Sequence, residues 1–161
     1  MIRISKLSSD DCTKNRNTIA ELLFLNDKAH DYTESCTIDE SFEEVENMIS
    51  YINANKADVF CAFDDDLIIG LIWAFPLRFR DELRMHIKAM VVNPEYRRQG
   101  LAQKLLMEVD KASLAREITV VDTYVDWSNI KARCAYEKHG LVPDRLLVRK
   151  KLNNAMDANQ K

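Results

Sequence analysis

The order of hydrophobic patterns along the chain restricts its fold more than any other feature. Alternating or short continuous apolar runs predict strands, whereas apolar residues spaced three and four apart predict helices. Because the two patterns are interleaved without a strict βαβ repeat, we predict one mixed α/β domain over residues 1–152. The predicted strands cover residues 2–7, 57–63, 67–76, 83–92 and 117–125, with two short pieces near 141–143 and 145–152. The predicted helices cover residues 12–30, 41–54, 99–115 and 128–139.

Residues with capping and turn chemistry mark the ends of these segments. Ser8 to Asp11 offer N-caps for the first helix, and Asp39 or Ser41 offers one for the second. Gly140 predicts the end of the last helix, because glycine readily adopts the left-handed conformation found there. Three segments are predicted to be irregular: the acidic turn 64–66, the connecting loop 78–82 and a polar, frayed tail 153–161.

Composition excludes several classes of protein. With 161 residues, 47% apolar and 30% charged, the chain has the balance of one soluble globular domain. No apolar run approaches the roughly 20 residues that a membrane span needs. The first twelve residues lack the apolar segment of a secretory signal, so the expected location is the cytoplasm.

The cysteines and histidines predict neither a metal site nor a disulfide framework. No two cysteines form a CxxC pair, and the histidines are scattered. We therefore expect reduced thiols that serve mainly in packing. Cys134 and His139 lie five residues apart on a predicted helix and thus on different faces, which argues against a covalent acyl-cysteine intermediate. The four cysteines are Cys12, Cys36, Cys61 and Cys134, and the histidines are His30, His86 and His139.

Charge is unevenly distributed along the chain. Residues 1–66 carry 15 acidic and 6 basic side chains, whereas residues 67–161 carry 11 acidic and 17 basic ones. One half should therefore suit cations and the other anions, although solvated faces would give the same pattern. The basic half lacks the interleaved aromatic residues typical of nucleic-acid binding, so we expect no nucleic-acid partner.

The first motif is VNPEYRRQGLA, residues 92–102, which joins a buried strand to the start of a helix. A helix N-terminus has free backbone N–H groups and a positive dipole end, which together favour phosphate. Gly100 lets the backbone approach a ligand closely, and Arg97 and Arg98 add charge. The motif predicts an anion site, but it matches neither a Walker loop nor a dinucleotide-binding fingerprint.

The second motif is NIKARCAYEKHGL, residues 129–141. Asn129 and Tyr136 are seven residues apart, about two helical turns, and therefore share a face. Ala132 lies between them and permits close packing. An amide and a phenol on one helix face can flank a slender ligand, although a core helix with a hydrogen-bonded tyrosine would also fit.

Together the two motifs resemble the GNAT acetyltransferase superfamily, most strongly over residues 83–152. The family's cofactor signature, [QR]xxGx[GA], is matched by Arg97, Gly100 and Ala102. Its later signature is NxxAxxxYxxxGF, with Leu141 here in place of the Phe. The positions that match this second signature are Asn129, Ala132, Tyr136 and Gly140.

The resemblance implies a fold and a cofactor. The fold would be a central, mostly antiparallel mixed sheet of six to seven strands with about four helices, splayed in the middle to hold acetyl-CoA, with no metal. Tyr136 would be the general acid for the departing thiolate. Met90, Val91 and Val92 would bond the cofactor arm through their backbone. The pyrophosphate and the rest of the cofactor would be bound by Arg97, Arg98, Gln99, Gly100, Leu101, Ala102, Gln103 and Asn129.

The general base stays open. Where the ribosomal-protein branch of the family has a glutamate, five residues before the motif asparagine, this chain has Tyr124. Glu82, His86 and Asp122 are further candidates, and deprotonation through ordered water is another route.

The acceptor also stays open. The acidic first half favours a small cationic amine, such as a polyamine, an aminoglycoside-like compound or an amino-acid derivative. The alternatives are acetylation of a protein N-terminus or lysine, and a non-catalytic acyl-CoA sensor. A monomer and a homodimer are both compatible with the sequence.

Overall fold

The computed structural model describes residues 1–29, 36–150 and 152. Its strands are β1 (Ile2–Lys6), β2 (Asp58–Asp64), β3 (Leu67–Phe79), β4 (Glu82–Val92) and β5 (Val121–Thr123). Its α-helices are α1 (Ser9–Lys14), α2 (Arg16–Asp27), α3 (Ile38–Asn53), α4 (Leu101–Ala115) and α5 (Ile130–Lys138). A single 3₁₀ turn, Pro94–Tyr96, links β4 to the loop before α4.

One sheet holds the five strands in chain order. The first four strands are antiparallel neighbours, and β5 joins β4 in parallel. Because side chains alternate across a strand, Val59 and Trp73 pack with helices α1 to α3, whereas Phe60 and Ile72 pack with α4 and α5. We call these two sides of the sheet the N-terminal face and the C-terminal face.

The predicted mixed α/β architecture is confirmed, with one helix boundary redrawn. The first helix, predicted over 12–30, is two helices that meet at Asn15, so the described residues form five α-helices rather than about four; residue 30 lies outside them. Ser8 caps α1 as predicted: its hydroxyl accepts from the Asp11 N–H while the Asp11 carboxylate accepts from the Ser8 N–H.

Two local predictions were wrong. The cap of α3 is Thr37 rather than Asp39 or Ser41, because Thr37 and Glu40 form a reciprocal capping box that starts the helix earlier. Residues 78–82 are not a loop: β3 and β4 continue to the pair Phe79–Glu82, and only Arg80 and Asp81 turn the chain. Ladder pairing extends both strands because their polar side chains can project into water.

The end of the chain forms fewer strands than predicted. Among the described residues the sheet has five strands rather than six to seven, because 141–150 form no strand. The strand predicted over 117–125 is reduced to three residues, so β5 offers little edge for another strand to pair with. Pro143 lacks an N–H donor, and Val142 and Leu147 stay exposed. The predicted tail 153–161 lies outside the described residues.

Within the ranges that the structure describes, no helix combines the length and the apolar character needed to cross a lipid bilayer.

Candidate active site

Strand β5 pairs with only part of β4, and we call the space beside the unpaired part of β4 the cleft. The two strands pair from Met85–Val121 to Ile87–Thr123 and no further. Lys88 is an extra residue relative to β3, since Trp73 pairs with Ala89 and Ala74 pairs with Ile87. Such a bulge bends a strand and locally increases its twist. Among the described residues, the β4 edge facing β5 therefore has no strand partner over residues 88–92.

Residues predicted to bind the cofactor arm lie on this unpaired stretch. Met90, Val91 and Val92 pair with β3 on their other side, which fixes their position. The carbonyl oxygen of Val92 accepts a hydrogen bond from Arg97 Nε at 3.1 Å. This bond ties the loop before α4 to the end of β4, at the mouth of the cleft.

The loop before α4 has the backbone geometry of an anion site. Arg98 and Gly100 both have positive φ, 64° and 74°. In the part of the chain that the structure describes, the backbone N–H groups of residues 98–103 form no hydrogen bond, as expected for the first turn of a helix. No heavy atom lies within 4 Å of an ideal Cβ built on Gly100, so glycine is required there by conformation and not by packing. Open N–H groups beside a positive helix end can hold phosphate oxygens.

Several predicted cofactor residues also have structural contacts. Leu101 is buried against Ala62 and Ile69 and anchors the start of α4. The Gln103 side chain joins α4 to α5: its Nε2 donates to the Ala135 carbonyl at 2.9 Å, and its Oε1 lies 3.2 Å from His139 Nδ1. Gln103 can therefore offer a ligand its backbone N–H rather than its amide. Arg98 and Gln99 are exposed, whereas Ala102 is half-buried.

Asn129 caps helix α5. Its Oδ1 accepts from the Ala132 N–H at 3.2 Å, which leaves the Nδ2 amide as the side chain's donor group. The helix ends at Gly140, which has φ 96° as predicted for this position.

Tyr136 lies at the apex of the cleft on the C-terminal face. Tyr136 is only 8% exposed, and its hydroxyl lies close enough to the Thr123 side chain to be affected by it. The Thr123 hydroxyl in turn donates to the Ile87 carbonyl at 2.9 Å, on the last rung that joins β4 and β5. Burial raises the pKa of the Tyr136 phenol, against a smaller opposing effect of the Thr123 side chain. The phenol therefore carries its proton at neutral pH and can donate it.

The candidate bases lie together on the opposite face of the sheet, around the neighbouring rung His86–Asp122. His86 Nδ1 lies 2.8 Å from Asp122 Oδ1, and the other Asp122 oxygen lies 3.3 Å from Arg84 Nη1. Glu82 is bound by Arg84 Nε at 2.6 Å. Tyr124 is 80% exposed, and its ring centroid is 5.1 Å from that of His86. The register that pairs His86 with Asp122 brings together groups that the sequence could only name separately.

Sequence reasoning missed Thr123 and Arg84, which link these groups. Alternation along the strand containing Asp122 was the available signal, because it places Thr123 on the face opposite to Asp122. Arg84 gave no signal, since a lone arginine in a strand has no distinctive pattern.

Among the residues that the structure describes, the thiols and histidines form no Cys–His pair. Burial raises the pKa of the Cys12 thiol to about 12, as suits a packing residue. His139 binds Asp110 at 2.7 Å, besides its contact with Gln103, and Cys134 is exposed. Over the described ranges, no three His, Cys, Asp or Glu side chains are arranged to hold a metal ion.

A family model and several solved structures match this chain. A family model described as the Acetyltransferase (GNAT) family matches residues 22–141. No curated protein sequence matches the chain.

Three solved structures illustrate the shared fold. An aminoglycoside N-acetyltransferase in complex with CoA has a TM-score of 0.74 at 14% identity, covering 94% of this chain and 95% of that one. An aminoglycoside acetyltransferase from an uncultured soil metagenomic sample, in complex with sisomicin, has a TM-score of 0.72 at 17% identity, with coverages of 95% and 96%. A ribosomal-protein-alanine N-acetyltransferase from Brucella melitensis has a TM-score of 0.69 at 14% identity, with coverages of 95% and 100%.

Proposed function

The chain belongs to the GNAT acetyltransferase family, and from that premise we propose that it moves the acetyl group of acetyl-CoA directly to a primary amine of a small cationic acceptor. Residues 1–152 would form the single catalytic domain. The observation that carries the proposal is the cleft itself, whose unpaired strand edge ends at an open anion loop and whose apex holds a protonated phenol.

The cleft suits an extended acyl-CoA arm. A slender chain with amide groups can bind an exposed strand edge by backbone hydrogen bonds, as an added strand would. Residues 90–92 supply such an edge, and the N–H groups of residues 98–103 lie where the same arm would end in a pyrophosphate. Arg97 and Arg98 add positive charge at that end.

Acetyl transfer there needs a proton acceptor and a proton donor. The amine nitrogen attacks the thioester carbonyl carbon, the C–S bond breaks, and the thiolate takes a proton. Tyr136 is the proposed donor, because its phenol is protonated and lies at the apex of the cleft. Backbone N–H groups on β4 would stabilise the oxyanion of the tetrahedral intermediate.

The N-terminal face suits a cationic acceptor. Helices α2 and α3, which cover this face, carry seven carboxylates and one arginine. A depression of about 130 Å³ lies between these helices and β4, with Asp27, Glu44 and Lys88 among the residues that line it. An excess of carboxylates beside a cleft raises the local concentration of a cation.

A thiol-release screen with acetyl-CoA tests this function. The panel would contain polyamines, aminoglycosides, amino-acid derivatives, neutral amines of matched size, and peptides with a free N-terminus or lysine. We expect turnover of cationic small amines and little turnover of the neutral ones. For the best acceptor, kcat/KM should fall several-fold as salt rises from about 50 to 500 mM, because salt screens the attraction.

Each other result points to a different function. Turnover of peptides alone would favour a protein N-terminal or lysine acetyltransferase. Turnover of only neutral or anionic acceptors would contradict the cationic assignment. Tight acetyl-CoA binding with no thiol release for any amine would indicate a sensor.

A further inference from the structure

A histidine that is hydrogen-bonded to a carboxylate lies beside the cleft, and the function proposed above assigns it no role. The imidazole of His86 donates from Nδ1 to Asp122 Oδ1 at 2.8 Å. Because a carboxylate only accepts hydrogen bonds, this contact places the proton of the neutral ring on Nδ1 and leaves Nε2 with a free lone pair. The part of the chain that the structure describes gives Nε2 no hydrogen-bond partner.

Packing holds the ring in one orientation. The His86 ring centroid lies 5.5 Å from that of Phe75 and 5.1 Å from that of Tyr124. Its side chain keeps 10% of its surface exposed, so the ring is fixed yet accessible at one edge. A base that acts on a bound substrate needs both properties.

The placement of His86 complements that of Tyr136. His86 and Asp122 form one rung of the β4–β5 ladder, and Ile87 and Thr123 form the next. Successive rungs point to opposite faces, so the histidine faces the N-terminal side while Thr123 faces the other side, where Tyr136 lies. A proton acceptor and a proton donor therefore flank the point where the cleft begins.

The charged groups around the ring are four carboxylates and two cations. Arg84 contacts both Asp122 and Glu82. The Asp122 carboxylate, which accepts from His86, is therefore also bound by Arg84. Farther along β4, Lys88 is paired with Glu44 of α3 at 3.1 Å. The titratable and charged groups facing the His86 neighbourhood are thus Glu82, Arg84, Lys88, Asp122, Tyr124, Glu44 and, through Arg84, Asp144.

We propose that His86 is the general base of the acetyl transfer and that Asp122 is its positioning residue; this assignment rests on the proposed function. His86 Nε2 takes one proton from the acceptor ammonium, directly or through one water, and frees the nitrogen lone pair. That lone pair forms the bond to the thioester carbon, and the C–S electrons leave with sulfur, which takes the Tyr136 proton. The amide nitrogen then loses a second proton, which replaces the one on Tyr136, so one proton is released per turnover.

The other candidates are less suited to this role. The Glu82 carboxylate is exposed and held by Arg84, and Asp122 is held by both Arg84 and His86. Tyr124 is 80% exposed, so packing does not fix its hydroxyl beside the cleft. Of these groups, His86 combines an orientation fixed by packing with a ring nitrogen, Nε2, that has no hydrogen-bond partner among the described residues.

The test uses the full chain, acetyl-CoA and the best amine from the screen. The kcat/KM for the amine is measured from about pH 5.5 to 9.5 for the wild type, His86→Gln, Asp122→Asn and the matched control Glu82→Gln. Glutamine keeps polarity at position 86 but cannot accept a proton. We expect the wild-type kcat/KM to rise with pH along a limb that depends on His86, because a general base must be unprotonated to act.

The base assignment predicts a specific pattern. His86→Gln should lose that limb and at least about 50-fold of kcat/KM, within the range typical of general base catalysis. Asp122→Asn should keep the limb but lower kcat/KM, because the amide oxygen can still accept from His86 Nδ1 but no longer carries a charge that balances the one the ring gains. Glu82→Gln should keep the limb, because Glu82 is not the proton acceptor. Acetyl-CoA affinity should be unchanged in all three.

A rescue experiment separates chemistry from folding. In His86→Ala, added imidazole should restore part of the rate in proportion to its free-base concentration, which a purely structural role of His86 would not allow. The proposal is overturned if His86→Gln keeps the limb and a rate within threefold of the wild type, if Glu82→Gln loses the limb, or if imidazole restores nothing while acetyl-CoA still binds. Wild-type turnover reports on the proposed function separately, since an enzyme that acetylates amines can still fail every one of these tests.

Discussion

Gly100→Glu is expected to raise the dissociation constant of CoA by about 100-fold or more. A carboxylate at this position would lie among the open N–H groups at the start of α4, where the pyrophosphate is proposed to bind. Two like charges about 4 Å apart repel by about 1 kcal/mol in water and about 4 kcal/mol at an effective dielectric constant near 20. The side chain would also occupy space that is open in the wild type. Titration calorimetry with CoA measures the effect.

Gly100→Gln is the matched control for that variant. It has the same size and meets the same cost of a side chain at φ 74°, but it carries no charge. We expect it to bind CoA within about tenfold of the wild type, so the difference between the two variants isolates the charge. A glutamate near a helix N-terminus favours the helix, so circular dichroism should show an intact fold. CoA affinity within threefold of the wild type in Gly100→Glu would remove the loop from the cofactor site.

Tyr136→Phe is expected to lower kcat by at least about tenfold while acetyl-CoA affinity stays nearly constant. The change removes one proton donor and very little volume, and general acid catalysis is typically worth ~10²–10⁴ in rate. Water can replace part of the lost donor, which sets the lower bound. Because the interaction is made only in the transition state, kcat and kcat/KM should fall together. Steady-state kinetics on the amine acceptor measure both constants.

The pH dependence provides a further check on Tyr136. Its raised pKa means that the phenol stays protonated from neutral pH to beyond the usual tyrosine range, near pH 10. Deprotonation of Tyr136 should therefore not lower wild-type kcat between pH 7 and 10. A phenylalanine variant with near-normal kcat and a lower Tm would instead identify Tyr136 as a core residue with no catalytic role.

Acid and base candidates on opposite faces of one strand pair agree with direct transfer. In such a reaction the amine and the thiol lie on different sides of the same carbonyl carbon, and each needs its own proton partner. A cysteine intermediate would need a base beside a thiol, but His139 contacts Gln103 and Asp110. Two successive rungs of the sheet, His86–Asp122 and Ile87–Thr123, place one candidate proton partner on each face.

The sequence determined the fold class, because hydrophobic period and turn residues are local. Alternating and short continuous apolar runs predicted β1 to β4, and the spacing of leucines and valine predicted α4. Gly100 and Gly140 were identifiable as special positions because a positive φ is costly for most other residues. The two motifs likewise named the family, since each lies within a dozen or so consecutive residues.

Tertiary structure alone decided the register and the neighbours. Whether Phe79 and Glu82 end a loop or close a hairpin depends on pairing across strands, which no local pattern contains. The same holds for 141–150, whose apolar residues predicted strands but have only the short β5 to pair with. His86 and Asp122 are 36 residues apart in the chain, and only the parallel register of β4 and β5 brings imidazole and carboxylate within 2.8 Å. A hydrogen bond requires positions fixed to a fraction of an ångström, and the packed sheet, rather than the residue types, fixes them.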